Sequence, residues 1–450
     1  MRESKVIRGT IILHNYRVDR ITALYQKLDP LQPLPADDTQ LYVDWQHELF
    51  ASDDIKLQLA RGFARGGAGV PVTRLFTGHR GTGKTTELNR VKQMLERESG
   101  GAAGRKLFVS FLECEKWVDL NNLEPPDLIL QMVRQLVLDL KQVGFGNAWT
   151  KVRGFLGEVA EALNADVELK DLGLKADPFV IGIAIKQVPG ARAKLRKHLE
   201  DRLPRIYDLV NSEILRPARE WLAGEGYEDV LIIVDQLDRI PQRQLNDRGL
   251  TNHEQLFLNS ADVLRSLQCD VLYTIPIELA YSHCHGRLAD VYGGAILTLP
   301  MITVSGAAGQ PGIKRLIEIV RRRAEAAGVA QLSDLCAPEA LQRVCLLSGG
   351  HPRSLFTLLR SAIDRSDGLP LETQAIDRAI RQQASEFGKS LSEDQWTALK
   401  QVHSTRKPLT ANPASWMTFL RERYVYAYYD SENEGLWYDW NPLLGEVKRT

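Results

Sequence analysis

The chain has 450 residues, 44% of them hydrophobic and 25% charged, the make-up of an ordinary globular protein with length for about two to four domains. Its 57 Lys and Arg balance 57 Asp and Glu, so it lacks the overall basic excess of a dedicated nucleic-acid binder. Five scattered cysteines without CxxC spacing argue against a disulfide framework, the first residues show no signal peptide, and no apolar run is long enough for a bilayer. A soluble cytoplasmic protein is expected.

Residues 1–70 mix helical periodicity with one short strand-like piece, Leu41-Tyr42-Val43, and read as a mostly helical N-terminal extension. Val72 to Thr77 reads as a buried strand. It runs into Gly78-His79-Arg80-Gly81-Thr82-Gly83-Lys84-Thr85, a complete GxxxxGK[ST] loop, followed by a helical stretch from Thr85 to Glu96. Strand, glycine loop and helix form the context in which this motif holds phosphate. The glycines let the backbone curl round phosphate oxygens, and the loop N–H groups and the helix N-terminus face the anion. The expected nucleotide contacts are Gly78, Gly81, Thr82, Gly83, Lys84, Thr85 and Thr86. Lys84 should reach the β- and γ-phosphates, and the Thr85 hydroxyl should ligate Mg²⁺.

Strands and helices then alternate. Lys106 to Cys114 reads as a strand and Pro126 to Val143 as a helix whose stripe of Ile129, Met132, Val133, Leu136 and Leu140 is core. An insert of about residues 145–225 follows. Asp166 to Leu174 and Phe179 to Val188 alternate like a hairpin, and a helical stretch from Ala191 to Gly224 carries Pro204 and Pro217, which predict a kink or break. Val230 to Val234 is a β-branched apolar strand, Asn252 to Leu267 a helix, and Val271 to Ile275 and Ala295 to Leu299 further strands. The alternation predicts an α/β fold, a P-loop NTPase with a parallel sheet flanked by helices over residues 71–310. Helices dominate from Gly312 to Gln383.

A phosphate loop needs an acid to hold Mg²⁺ through water, and Asp235 at the end of Val230–Val234 supplies it. The next residue is Gln236, which can orient a water but cannot take its proton. Asp238 is the nearest acid that could, its alternative roles being a helix cap or a partner for Arg239. Glu113 and Glu115 are weaker candidates. Slow hydrolysis of ATP to ADP and phosphate is the expectation.

The Asp235-Gln236-Leu237-Asp238-Arg239 segment resembles the D-x-h-D-[ER] motif of the signal-transduction ATPases with numerous domains (STAND) and the related KAP P-loop ATPases, both of the AAA+-like, additional-strand class. The resemblance spans roughly residues 70 to 450; Gln236 departs from the AAA+ pattern of Glu after the Asp. It implies a helical lid at 311–388 and a winged-helix domain at 389–450. It also implies that Thr274, ending the strand at Val271–Ile275, stands beside the γ-phosphate as a sensor. Arg353 in Ser348-Gly349-Gly350-His351-Pro352-Arg353 would be a lid contact to phosphate, suited by its bidentate fork. Arg287 would be an arginine finger acting across a subunit boundary.

Other features attract blander readings. His283-Cys284-His285 reads as a polar loop, since three adjacent residues cannot all face one tetrahedral centre and no second ligand pair stands nearby in sequence. Arg321-Arg322-Arg323 reads as a solvated helix face. At the C-terminus, helices at Leu391–Val402 and Pro413–Glu422 precede aromatic strands at Tyr424–Tyr429 and Leu436–Trp440, the shape of a winged helix. Residues 391–450 hold eight acids against seven bases, and the turn between the strands is acidic, the wrong sign for DNA. A protein contact or intramolecular clamp is preferred over DNA. STAND-like proteins serve in bacterial signalling or defence, so the resemblance implies a nucleotide-switched regulatory ATPase working with a protein partner or by self-assembly. A DNA-binding ATPase of the origin-recognition or transposition-regulator kind and a nucleotide-binding scaffold without useful turnover are the alternatives.

Overall fold

In the computed structural model the described residues are 19–50, 54–67, 69–97, 105–145, 193, 196–197, 203–247, 249–306, 309–430 and 435–447. The expected hairpin strands at 166–174 and 179–188, the start of the stretch at 191–224 and the acidic turn at 431–434 lie outside them.

Five parallel strands form the central sheet: β1 (Thr73–Gly78), β2 (Leu107–Glu113), β3 (Asp229–Asp235), β4 (Asp270–Thr274) and β5 (Leu297–Leu299). Their spatial order is β2-β3-β4-β1-β5. The strand that carries the phosphate loop and the strand that ends in Asp235 are therefore separated by one additional strand. This is the fold of an α/β P-loop NTPase with a helical C-terminal region.

β3 is buried along its whole length, as a strand covered on both faces must be. Its alternate residues point to opposite faces. Val230, Ile232 and Val234 join one hydrophobic cluster, while Leu231 and Ile233 join another. The first cluster is filled by α6 (Pro125–Gln142), whose predicted stripe is buried in it, and by the helical run from Leu203 to Gly224. The second holds α1 (Arg20–Lys27), α3 (Ile55–Ala64) and α4 (Lys84–Arg97). It also takes the later helices α13 (Gly309–Ala326), α14 (Pro338–Leu347), α15 (Pro352–Ile363) and α16 (Thr373–Gly388). The intervening short helices are α2 (Trp45–Phe50), α5 (Cys114–Trp117), α7 (Leu203–Leu209), α8 (Arg216–Gly224), α9 (Asn252–Glu254), α10 (Ala261–Leu264), α11 (Ile277–Ala280) and α12 (His285–Val291).

One expectation fails locally. Leu41-Tyr42-Val43 belongs to no strand; it finds no ladder partner and is held by side chains, Tyr42 donating its hydroxyl to Glu87 Oε2 at 3.1 Å. The helical run through Pro217 is not broken. A π-helical turn, Val210–Leu215, joins α7 to α8 and takes up the irregularity before the proline. A second π turn, Gln255–Asn259, lies within the expected helix 252–267.

Beneath the sheet, Arg105 pairs with Asp270 at 2.9 Å and Asp229 at 3.5 Å, and Arg219 reaches Asp229 at 2.6 Å. Asp270 also accepts from the Val72 N–H at 2.8 Å, which ties the starts of β1, β3 and β4 together. The C-terminal helices α17 (Glu393–Thr405) and α18 (Pro413–Arg421) and the hairpin β6 (Val425–Asp430) with β7 (Gly435–Trp440) form their own aromatic cluster. Ile277 of α11 is buried in that cluster, so this region is docked on the sheet domain.

Candidate functional site

β1 ends in the loop, and two glycines explain its shape. Gly78 has φ 151° and would drive a side chain into the Leu299 carbonyl; Gly81 has φ 94° and packs directly against Arg353. The loop passes into α4, whose first-turn amides have no intrahelical acceptor, the geometry of an anion site. It opens on a cleft of about 610 Å³ that also takes in Asp235, Gln236 and Asp238 from the turn after β3.

The cationic and acidic groups of the site meet closely. Lys84 Nζ donates to the carbonyls of Gly78 (2.8 Å) and His79 (3.0 Å) and pairs with Asp238 Oδ2 at 2.8 Å. Thr85 donates its hydroxyl to Asp235 Oδ2 at 2.6 Å. Burial, and then repulsion from Asp238, push the Asp235 carboxyl up to about 6. The Thr85 and Asp235 oxygens are hard donors side by side, a set that suits Mg²⁺.

Gln236 sits in the left-handed region at φ 72°, its N–H held by Asp235 Oδ1 and its side-chain oxygen accepting from the Glu115 N–H at 3.0 Å. Asp238 is neither a cap nor a partner of Arg239: it faces Lys84, while Arg239 pairs with Glu115. Glu113 and Glu115 line the cleft, Glu113 paired with Lys116.

Arg353 lies in the first turn of α15, lines the cleft, and donates from Nε to the Pro30 carbonyl at 3.1 Å. Gly81, Thr82, Gly83 and Thr86 also line it. The Thr86 hydroxyl accepts from Leu34 N–H, and that of Thr82 donates back to the His79 carbonyl at 2.9 Å. Gly78, Thr274 and Arg287 are not among the cleft residues. Thr274 is fully buried behind the acidic turn, where its oxygen accepts from Leu237 N–H at 3.2 Å. Arg287 is exposed on α12.

Several cleft residues escaped the sequence reading. Asp29 to Leu34 and Leu41 to Val43 form one wall. The third arginine of the 321–323 run corrects the expected solvated face. Arg321 and Arg322 pair with Glu318, but Arg323 is buried, 4.4 Å from the Phe356 ring, and lines the cleft. A turn of about 100° per residue sends neighbours on a helix to different faces.

His79 and His351 form the other unforeseen pair. His79 Nε2 accepts from the Ala427 N–H of β6 at 3.0 Å, and His351 Nε2 bonds the Arg80 carbonyl at 2.8 Å. Both rings pack on Tyr426, at centroid distances of 5.3 and 5.6 Å. Burial, followed for His79 by the Lys84 charge, holds its pKa down to about 3. Burial likewise drives His351 well below its usual value, so both rings are neutral at physiological pH.

Among the described residues no helix is long and apolar enough to cross a membrane. No family model matches the chain, and no curated protein matches it. Solved structures do. The Aeropyrum pernix ORC2 protein, solved as ADPNP–ADP complexes, is 13% identical with a TM-score of 0.42, covering 94% of each chain. The Walker-type ATPase PABY2304 of Pyrococcus abyssi is 12% identical with a TM-score of 0.42, over 93% of this chain and 98% of that one. A chain of the Drosophila ORC bound to DNA is 13% identical with a TM-score of 0.40, over 100% of this chain and 97% of that one.

Proposed function

We propose that the protein is a nucleotide-dependent switch. It would bind ATP with Mg²⁺ in the cleft, hydrolyse it slowly, and pass the nucleotide state to its C-terminal helices and hairpin. The observation that carries this reading is the double attachment of the phosphate loop. The loop is bonded to β6 through His79 and to the α15 end through the Arg80 carbonyl. A phosphate held by the loop must compete with the loop carbonyls and Asp238 for Lys84. Any readjustment is then felt directly at Ala427 and His351.

Each chemical role follows from placement. Lys84 and the loop amides would hold the β- and γ-phosphates, and Arg353 would close on them from α15. Thr85 and Asp235 would hold Mg²⁺, which supplies charge neutralisation at the phosphates when bound. Asp238 is the group within reach to accept a proton, whereas Gln236 is anchored by Glu115 and offers no base. That pairing favours slow turnover. Arg287 could serve only a neighbouring copy, because it lies outside this chain's own cleft.

Read as a lid and a winged helix, α13 to α16 and the segment from α17 to β7 would form the movable parts of a STAND-like signalling or defence ATPase that acts on a protein partner. DNA is disfavoured on local grounds too. Arg421 is directed at Gln242 (2.8 Å) and Glu422 (3.0 Å).

The test is a titration of the purified chain with fluorescent ATP and Mg²⁺. Lys84→Ala should lose binding by at least about 100-fold, the cost of about 2.7 kcal/mol at a charged contact. Unchanged affinity would sink the assignment.

A further inference from the structure

Away from the nucleotide cleft, two residues of the His283-Cys284-His285 run turn toward one point, and a third group meets them from another element. Glu254 closes α9, where its Oε2 accepts from the Thr251 N–H and hydroxyl, both at 2.8 Å. Its Oε1 is left facing the loop before α12. Cys284 Sγ lies 3.2 Å from that oxygen and 3.4 Å from His283 Nε2, and His283 Nε2 lies 3.4 Å from the same oxygen. His285 is turned away and bonds the Ala280 carbonyl at 2.7 Å. Among the described residues this is the one group of three such ligand atoms brought together.

The three separations match one face of a small tetrahedron. Zinc bonds of about 2.3 Å to sulfur and about 2.0–2.1 Å to nitrogen and oxygen, at tetrahedral angles, place S···N and S···O about 3.5 Å apart and N···O about 3.3 Å apart. A thiolate, an imidazole and a carboxylate form a mixed donor set that suits Zn²⁺ rather than Mg²⁺ or Ca²⁺. The carboxylate is also oriented by a second layer, since Thr251 occupies the oxygen that does not face the sulfur. Cys284 is buried and His283 is largely exposed, so the centre would sit at the surface with its outer side open.

We infer that Glu254, His283 and Cys284 form a zinc site, with water as the fourth ligand. Binding takes up Zn²⁺ and releases the thiol proton of Cys284 to solvent. The ion joins α9 to the loop that precedes α12, two segments about thirty residues apart in the chain.

The full-length protein, stripped with a chelator, should be titrated with Co²⁺ and then Zn²⁺. The expected result is a thiolate-to-cobalt charge-transfer band that saturates at one equivalent and is erased by Zn²⁺. Cys284→Ala should abolish the band. His283→Ala, on an exposed side chain, should weaken Zn²⁺ binding at least about 10-fold with an unchanged circular dichroism spectrum, and Thr251→Val should weaken it about 10-fold while the band persists. The site is overturned if wild type shows no such band, if the band survives in Cys284→Ala, or if His283→Ala binds Zn²⁺ as tightly as wild type. These readouts involve no nucleotide, so they stand or fall apart from ATP binding.

Discussion

Lys84 and Asp238 are the pair on which the proposed chemistry of the cleft turns. At 2.8 Å, with both side chains nearly buried, each neutralises a charge that would otherwise be costly to hold there. In the proposed reading, a triphosphate would bring its own negative charge to Lys84 and so release Asp238 to serve as a base. Asp238→Ala should therefore leave ATP affinity within a few-fold of wild type, while lowering turnover by about 100-fold, the usual contribution of a positioned base. Wild-type turnover, measured by phosphate release, would remove Asp238 from that role. The acid itself was legible in the sequence, because it lies three positions after Asp235. Its partner was not, because Lys84 and Asp238 are brought together only when β1 and β3 take their places in one sheet.

At the scale of elements, the hairpin is the part whose placement matters most. Ala427 bonds to His79 through its N–H, and its carbonyl accepts from the Met301 N–H at 3.0 Å. The Tyr428 hydroxyl reaches the Gly349 carbonyl at 2.8 Å, next to the turn that carries His351. β6 is thus wedged between the phosphate loop and the start of α15. ATP should change the hydrogen-exchange protection of the 425–429 segment in wild type. In His79→Ala that response should shrink by at least about half while ATP still binds, since the His79 side chain does not line the cleft. An undiminished response would show that the hairpin is not informed through His79. Helices and strands of this region were readable from their aromatic alternation and turn residues. Their docking on the loop was not, as no periodic pattern records which neutral backbone amide a buried histidine will meet.

The whole molecule brings the sheet domain and the C-terminal region together over Glu278. This carboxyl is 2% exposed in α11, and its Oε1 has no hydrogen-bond partner. Burial is the main cause that pushes its pKa up to about 7, against the weaker pull of Arg80 and Arg421, with Asp238 adding repulsion. Its folded pKa stands above its unfolded value near 4.5, so the charged form destabilises the fold. That cost is full above about pH 7 and disappears as pH falls toward 4.5. Glu278→Gln should accordingly stabilise the protein at pH 8 by on the order of 1–3 kcal/mol and make little difference at pH 4.5, read from denaturant midpoints. Equal effects at both pH values would show that its charge is not the destabilising element.

By itself the sequence determined the phosphate loop, the acid strand and the alternation that makes a parallel sheet. These are local patterns, set within about ten residues by the backbone's periods of 2 and 3.6 and by glycine's freedom at the loop. Tertiary structure decided the rest. It set β4 between β1 and β3, brought Arg353 onto Gly81, and placed Ala427 on His79 across 348 residues of chain. It also turned the reading of His283 and Cys284 from a polar loop into two arms of a candidate metal site, because the missing ligand, Glu254, comes from another helix. Burial and hydrogen bonding of single side chains depend on what packs against them, and that is a property of the assembled layers, carried by no short stretch of the chain.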